Sequence, residues 1–233
     1  MRARAELTAA APIGGGSPFR LVRVRNEAPV AWRVTPDAVY LVGTAASPVG
    51  DDRIRIDLSV EAGAELAVRS AAAAVAWRSR GTGQDIRIEV ADGASLEWGL
   101  EPLIAIAGCR HRQHVAITIH GDGRLDWTEE VLLGRHGELP GQLDLRIDID
   151  IDGMPLLRHQ MALGSGDGWD GPAVLGSRRA LGLSVRAGPG HPVAPGSGPG
   201  WARLPLPGPG TLALAVAADL QSLREAMATA VKT

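Results

Sequence analysis

The chain has 233 residues, 45% of them apolar, a formal net charge of -2 and a pI near 6.3. That length permits one large domain or two small ones, and the near-neutral balance excludes a global electrostatic footprint for nucleic acid or an anionic membrane. Aromatic residues are 3%, six of the eight being Trp, so Val, Ile, Leu and Ala must fill the interior.

The N-terminal stretch "MRARAELTAAAPIGGG" has two arginines, but Glu6 interrupts it and no continuous apolar region follows, so it does not read as a secretory signal. No apolar run approaches the length of a membrane span. A single cysteine, Cys109, excludes an internal disulfide and fits a reducing compartment, so a cytoplasmic location is expected.

From Leu21 to about Leu163 apolar and polar residues alternate. In "RIRIDLSV", Arg53 to Val60, the even positions are apolar, and a strand sends the two sets to opposite faces. Ile86, Ile88 and Val90 repeat the pattern, as do Val115, Ile117 and Ile119, and then Ile147, Ile149 and Ile151. Turn glycines at Gly63, Gly93, Gly123 and Gly153 stand thirty residues apart, each followed by a leucine at Leu66, Leu96, Leu125 or Leu156.

The pattern reads as strand, tight turn, strand. One such unit buries about four aliphatic side chains at roughly 1.5–3 kcal/mol each, against about 1–2 kcal/mol of backbone entropy for each ordered residue. No unit stands alone. The expected architecture is therefore all-β: a row of hairpins, an irregular β-helix-like stack or a two-sheet body. "SAAAAVAW", Ser70 to Trp77, reads as a buried strand or a crossing segment.

From Gly164 the texture changes to glycine and proline, which supply 14 of the 25 residues from Arg186 to Gly210, and residues 164–210 read as a long mobile loop. Beyond it, residues 211–231 read as a strand and an amphipathic helix, with Val216, Leu220, Leu223, Met227 and Ala230 at spacings of three and four. The helix is expected to dock on the β body, so that residues 1–233 form one domain.

No serine sits in a strand-turn-helix elbow, "GSGDG" at Gly164 to Gly168 being loop-like, and no phosphate-loop motif is present. "CRHRQHV", Cys109 to Val115, offers thiolate and imidazole. On a strand, however, Cys109, His111 and Gln113 point one way while Arg110, Arg112 and His114 point the other, so three ligands never converge. Cys109 and His111 remain a weak metal pair, on what reads as an edge or surface strand. Asp51-Asp52 and Glu129-Glu130 face opposite ways as neighbours. Asp148, Asp150 and Asp152 share a face and read as solvated.

"SPVGDDRIRIDLSVEAGAELAVRSAAA", "GASLEWGLEPLIAIAGCRHRQ" and "TEEVLLGRHGE", followed by "TLALAVAADLQSLREAM", resemble in this order the urease accessory protein UreD family, called UreH in some bacteria. The resemblance covers about Val39 to Met227. It implies a non-enzymatic scaffold that binds the urease subunits and UreF, with UreG recruited through UreF, as a homodimer in some complexes. It implies no tightly bound cofactor, only transient Ni2+ passing through the interior. The family's glycine-aspartate phrase falls on Gly50 and Asp51, its "LEW" phrase on Leu96, Glu97 and Trp98, and its "EE" phrase on Glu129 and Glu130 before Gly134 and Arg135. Asp51, Glu97, Glu129 and Glu130 are therefore the candidates for a nickel path, with Glu97 and Glu129 in nearly equivalent places of the repeat. The family's glycine-rich approach is reduced here to "GTAASPVGDD", Cys109 and His111 replace aliphatic and aromatic residues, and the tail is short.

Two other readings compete. A carbohydrate-active β-helix enzyme needs two carboxyls about 5–10 Å apart in an aromatic-lined groove, against which the low aromatic content counts. A self-associating structural β protein needs only an uncovered edge.

Overall fold

The computed structural model describes residues 1–14, 17–164, 166, 168–190 and 194–232. In chain order these form β1 (Arg2–Ala10), β2 (Arg20–Arg25), β3 (Val30–Val34), β4 (Val39–Gly43), β5 (Arg53–Val60), β6 (Glu65–Ser70), β7 (Ala74–Ala76), β8 (Thr82–Val90) and β9 (Ser95–Gly99). There follow β10 (Leu103–Ala105), β11 (Arg110–Ile119), β12 (Arg124–Leu133), β13 (Gln142–Ile151), β14 (Met154–Leu163), β15 (Ala180–Ala187), β16 (Gly196–Gly198), β17 (Trp201–Pro205), β18 (Gly210–Ala217) and α1 (Leu220–Ala230).

The strands make two stacked sheets. The first has the order β14-β13-β11-β8-β5-β1-β2, and the second runs β16-β17-β18-β15-β12-β9-β6-β4-β3, with β10 and β7 attached beside β12. The body is thus the irregular β-helix-like, two-sheet stack that the alternation and the period predict, closed by one C-terminal helix.

The repeat is the coil of this solenoid. β5, β8, β11 and β13 lie parallel and in register, so Ile56, Ile86, Val115 and Ile147 form one buried row and Leu58, Ile88, Ile117 and Ile149 the next. In the second sheet β6, β9 and β12 align Leu66, Leu96 and Leu125, and beside them Trp98 stacks on Trp127 with ring centroids 4.9 Å apart.

The units are not hairpins, however. The turns at Gly63 and Gly93 carry the chain from one sheet to the other, so β5 pairs with β8 and not with β6. Both glycines have positive φ, and at the shortened third turn that role passes from Gly123 to Gly121. Only the fourth phrase is a hairpin: β13 and β14 pair antiparallel through Asp152 and Gly153, both at positive φ, the two-residue turn that matches strand twist.

Three other expectations change. Arg2–Ala10, unassigned from sequence, is a strand paired parallel to β5, burying Ala3, Ala5, Leu7 and Ala9. The alanines at 71–74 are exposed, and only the short β7 follows them, so this segment is not buried. Residues 164–210 are not one long loop, because β15, β16 and β17 lie in them and β15 is almost wholly buried. Their glycines hide the strands from a periodicity reading, yet one of them, Gly182, is required. A Cβ there would stand 2.8 Å from Met227 Cγ, so the gap lets α1 lie close against β15. Of the Gly164–Gly168 phrase, Ser165 and Asp167 lie outside the described residues.

The helix docks on the outer face of the second sheet through Leu223, Met227 and Ala230, with Asp219 capping it by accepting from Ser222 N at 2.8 Å.

Candidate functional site

The space between the sheets holds two apolar clusters, one containing Val115 and Trp127, the other Cys109, Val131, Leu145 and Leu181. Polar side chains stand where the clusters meet. On β12, Leu125, Trp127, Glu129, Val131 and Leu133 alternate onto the inner face, which puts Glu129 between a tryptophan of one cluster and a valine of the other. From the opposite sheet Gln113 reaches it, its Nε2 donating to Glu129 Oε1. Gln84 on β8 is the cross-strand neighbour of Gln113, and His159 on β14 lies on the other side.

Glu129 and His159 share the wall of a mostly apolar cavity of about 20 Å³ with Val131, Leu145, Leu181 and Leu183, and Arg146 also lines it. That is room for about one water. Loss of hydration in these apolar walls pushes the Glu129 carboxyl up to about 7, with the hydrogen bond from Gln113 opposing the shift. Burial lowers the His159 pKa, and its Nε2 has no partner among the described residues. The site therefore pairs a carboxyl that exchanges its proton near neutrality with a neutral imidazole. On the far side, Gln84 forms part of a mostly apolar groove of about 400 Å³ that Ser70, Trp77 and Glu101 also line.

The remaining candidates lie elsewhere. Asp51 is exposed, its side chain at 91%, beside the Met1 amine at 3.4 Å. Its neighbour Asp52 is the buried one, accepting from Ser47 Oγ, Val49 N and Met1 N, which is a structural role. Glu97 faces solvent and pairs with Arg69. Register explains why it does not match Glu129: Glu97 aligns with Asp126, whereas Trp98 aligns with Trp127, so the two glutamates occupy opposite faces. Glu130 is likewise on the outer face, held by Arg224 of α1 at 3.0 Å, and Arg224 also binds Glu101 at 3.0 Å. Of the four carboxylates only Glu129 enters the interior.

Cys109 and His111 do point inward with Gln113, but the strand is central, between β8 and β13, not an edge or surface strand. Burial raises the Cys109 thiol to about 11, and the sulfur packs against Gly141, so no thiolate is offered. His111 is pushed down to about 4 by burial and then by the charge of Arg53, surroundings that repel a cation. Among the described residues no three His, Cys, Asp or Glu side chains converge as a metal cage. Asp148 and Asp150 are not merely solvated: Arg146 and Arg158 pair with them, and His114 lies 3.0 Å from Asp148. The polar layer itself escaped the sequence reading. The signal was there, since Gln84, Gln113 and Glu129 are among the polar residues that break otherwise apolar inward positions.

Two grooves of about 450 and 400 Å³ hold one carboxylate each, Asp144 and Glu101, which leaves the glycosidase reading without its pair there. Among the described residues no helix is long and apolar enough to cross a membrane.

A family model described as UreD urease accessory protein matches residues 2–232. The chain is 36% identical to the urease accessory protein UreD of Parafrankia sp. (strain EAN1pec), over 96% of this chain and 86% of that one. It is 38% identical to UreD 3 of Streptomyces griseus subsp. griseus over 93% and 87%, and 36% identical to UreD of Streptomyces avermitilis over 97% and 95%. A match of that extent, on a solenoid of the kind the repeat predicts, means that the chain belongs to the UreD urease accessory protein family.

Proposed function

We propose that this chain is a non-catalytic scaffold of urease maturation, which binds apo-urease and the accessory protein UreF, with UreG joining through UreF, and that nickel on its way to urease passes Glu129. The family supports the role in maturation. For the nickel step, the supporting observation is the polar layer between two apolar cores, where Gln113 holds a carboxyl whose proton leaves near neutrality.

A relay must take up its cargo and release it. One carboxylate and one imidazole bind Ni2+ far more weakly than a closed cage of thiolates and imidazoles, and the cost of burying the Glu129 charge favours a cation only while it passes. Gln84 and Gln113 offer amide oxygens along the same layer, beginning at a groove open to solvent. The path we propose leaves out Asp51 and Glu97, which are exposed, and Glu130, which Arg224 of α1 holds on the other face of β12.

The test is co-expression of tagged chain with the urease subunits and the other accessory proteins, followed by urease activity and nickel content. Wild-type chain is expected to capture UreF and apo-urease and to be required for activity. Glu129→Gln keeps the shape and the contact with Gln113, so it is expected to leave capture intact and to lower nickel per urease active site about tenfold, a change of 1.4 kcal/mol. Normal nickel content with normal protein levels would remove Glu129 from the path, and failure to capture either partner would overturn the scaffold itself.

A further inference from the structure

At the end of the first sheet where the parallel strands begin, a groove of about 450 Å³ crosses five strands from β5 to β14. Its depth comes from the sequence. Gly83 lies in register between Arg53 on one side and Arg112 on the other, so no side chain fills the space between two arginines set two strands, about 10 Å, apart. Arg53 leans across the glycine, where a Cβ would meet its Cδ at 3.1 Å, and its NH1 is fixed by the carbonyls of Asp51, Asp52 and Gly81 at 2.8–3.1 Å. That guanidinium is oriented by backbone oxygens and has no carboxylate partner among the described residues.

Arg110 and Arg112 are exposed and likewise lack an ion pair among the described residues. The groove's one carboxylate, Asp144, accepts from Gln160 at 2.9 Å, so the lining carries three positive charges against one negative. Beneath them His111 is 3% exposed and its Nε2 has no partner. Thr82 Oγ1 donates to Arg110 O at 3.3 Å and accepts from His111 Nδ1–H at 2.8 Å, which leaves Nε2 as the unprotonated ring nitrogen.

We propose that this groove binds a small polyanion, a molecule with at least two carboxylate or phosphate groups, held by Arg110 and Arg112 with Arg53 at the rim. Planar guanidinium groups are suited to such oxyanions because each presents paired donors to two oxygens at once. The volume falls within the range of small-ligand sites. The site is distinct from the Glu129 layer and does not depend on the nickel reading.

Titration calorimetry of the full chain with pyrophosphate and with succinate tests it. At least one is expected to bind saturably at one site, pyrophosphate if the ligand is of the phosphate class and succinate if it is of the carboxylate class. Replacing both exposed arginines, Arg110→Gln with Arg112→Gln, is expected to weaken binding about tenfold or more. Arg87→Gln, on the same outer face but outside the groove, is expected to leave the affinity unchanged. Absence of saturable binding by both anions, unchanged affinity in the double variant, or equal loss in the Arg87 variant would each overturn the site.

Discussion

Glu129 shows what one position in an alternating strand decides. Its neighbours Trp127 and Val131 are buried on the same face, so the backbone delivers its carboxyl to the interior whatever its charge costs. Its folded pKa of about 7 lies above the ordinary 4.5. Its contribution to stability is therefore complete below about pH 4.5 and is lost as pH rises towards 7, because the unfolded chain ionises first. Glu129→Gln has no proton to lose. Its stability is expected to exceed that of the wild type by more at pH 8 than at pH 5, the two gaps differing by on the order of 2 kcal/mol. An equal gap at both pH values in thermal unfolding would mean that the carboxyl is not enclosed. Charge type alone did not distinguish Glu129 from Glu97 in the sequence, since both stand near a tryptophan. One step of strand parity separates them.

Among the elements, the turns divide into those that need glycine for its backbone and those that need it for space. Gly153 has φ 78 and nothing near a built Cβ, so Gly153→Ala carries only the left-handed strain, about 1–2 kcal/mol. Gly164 has φ 73, and a Cβ there would lie 1.9 Å from Gly141 O, so backbone must move. Gly164→Ala is expected to cost at least about twice as much as Gly153→Ala, measured by urea unfolding of each variant. Comparable midpoints would show that the β13–β14 end of the sheet yields freely. The sequence made the strands of the repeat legible, because Ile, Val and Leu alternate there with charge. It concealed β15, buried on both faces and so lacking the alternation, and β16 and β17, which are short and lie among glycines and prolines.

At the scale of the molecule, period and alternation were enough for the two-sheet solenoid, whereas the partner of each strand was not. A tight turn between two strands implies a hairpin, and here three of the four instead bridge the sheets, so each strand pairs with one about thirty residues away. That choice is enforced by the second sheet: rows such as Leu66, Leu96 and Leu125 close over the first only if the chain crosses between them at every turn. Where the rule lapses, at β13 and β14, the solenoid ends in a hairpin whose outer strand carries Pro155 and Arg158, residues that discourage further pairing.

Parallel coils in common register present the same rows of atoms above and below. β5 offers β8 the surface that β8 offers β11, and β6 offers β9 what β9 offers β12. An inner coil is therefore interchangeable, and the chain is divisible. Excising residues 61–90 joins Val60 to Ala91 so that the end of β5 runs directly into the turn that led from β8 to β9. The 203 residues that remain of 233 are expected to fold with β5 against β11, giving a cooperative melt and an unchanged β-type circular dichroism spectrum. Length in this architecture is then a count of coils, and descendants that gain or lose a whole coil remain folded where loss of a single residue within one would turn every later side chain to the wrong face.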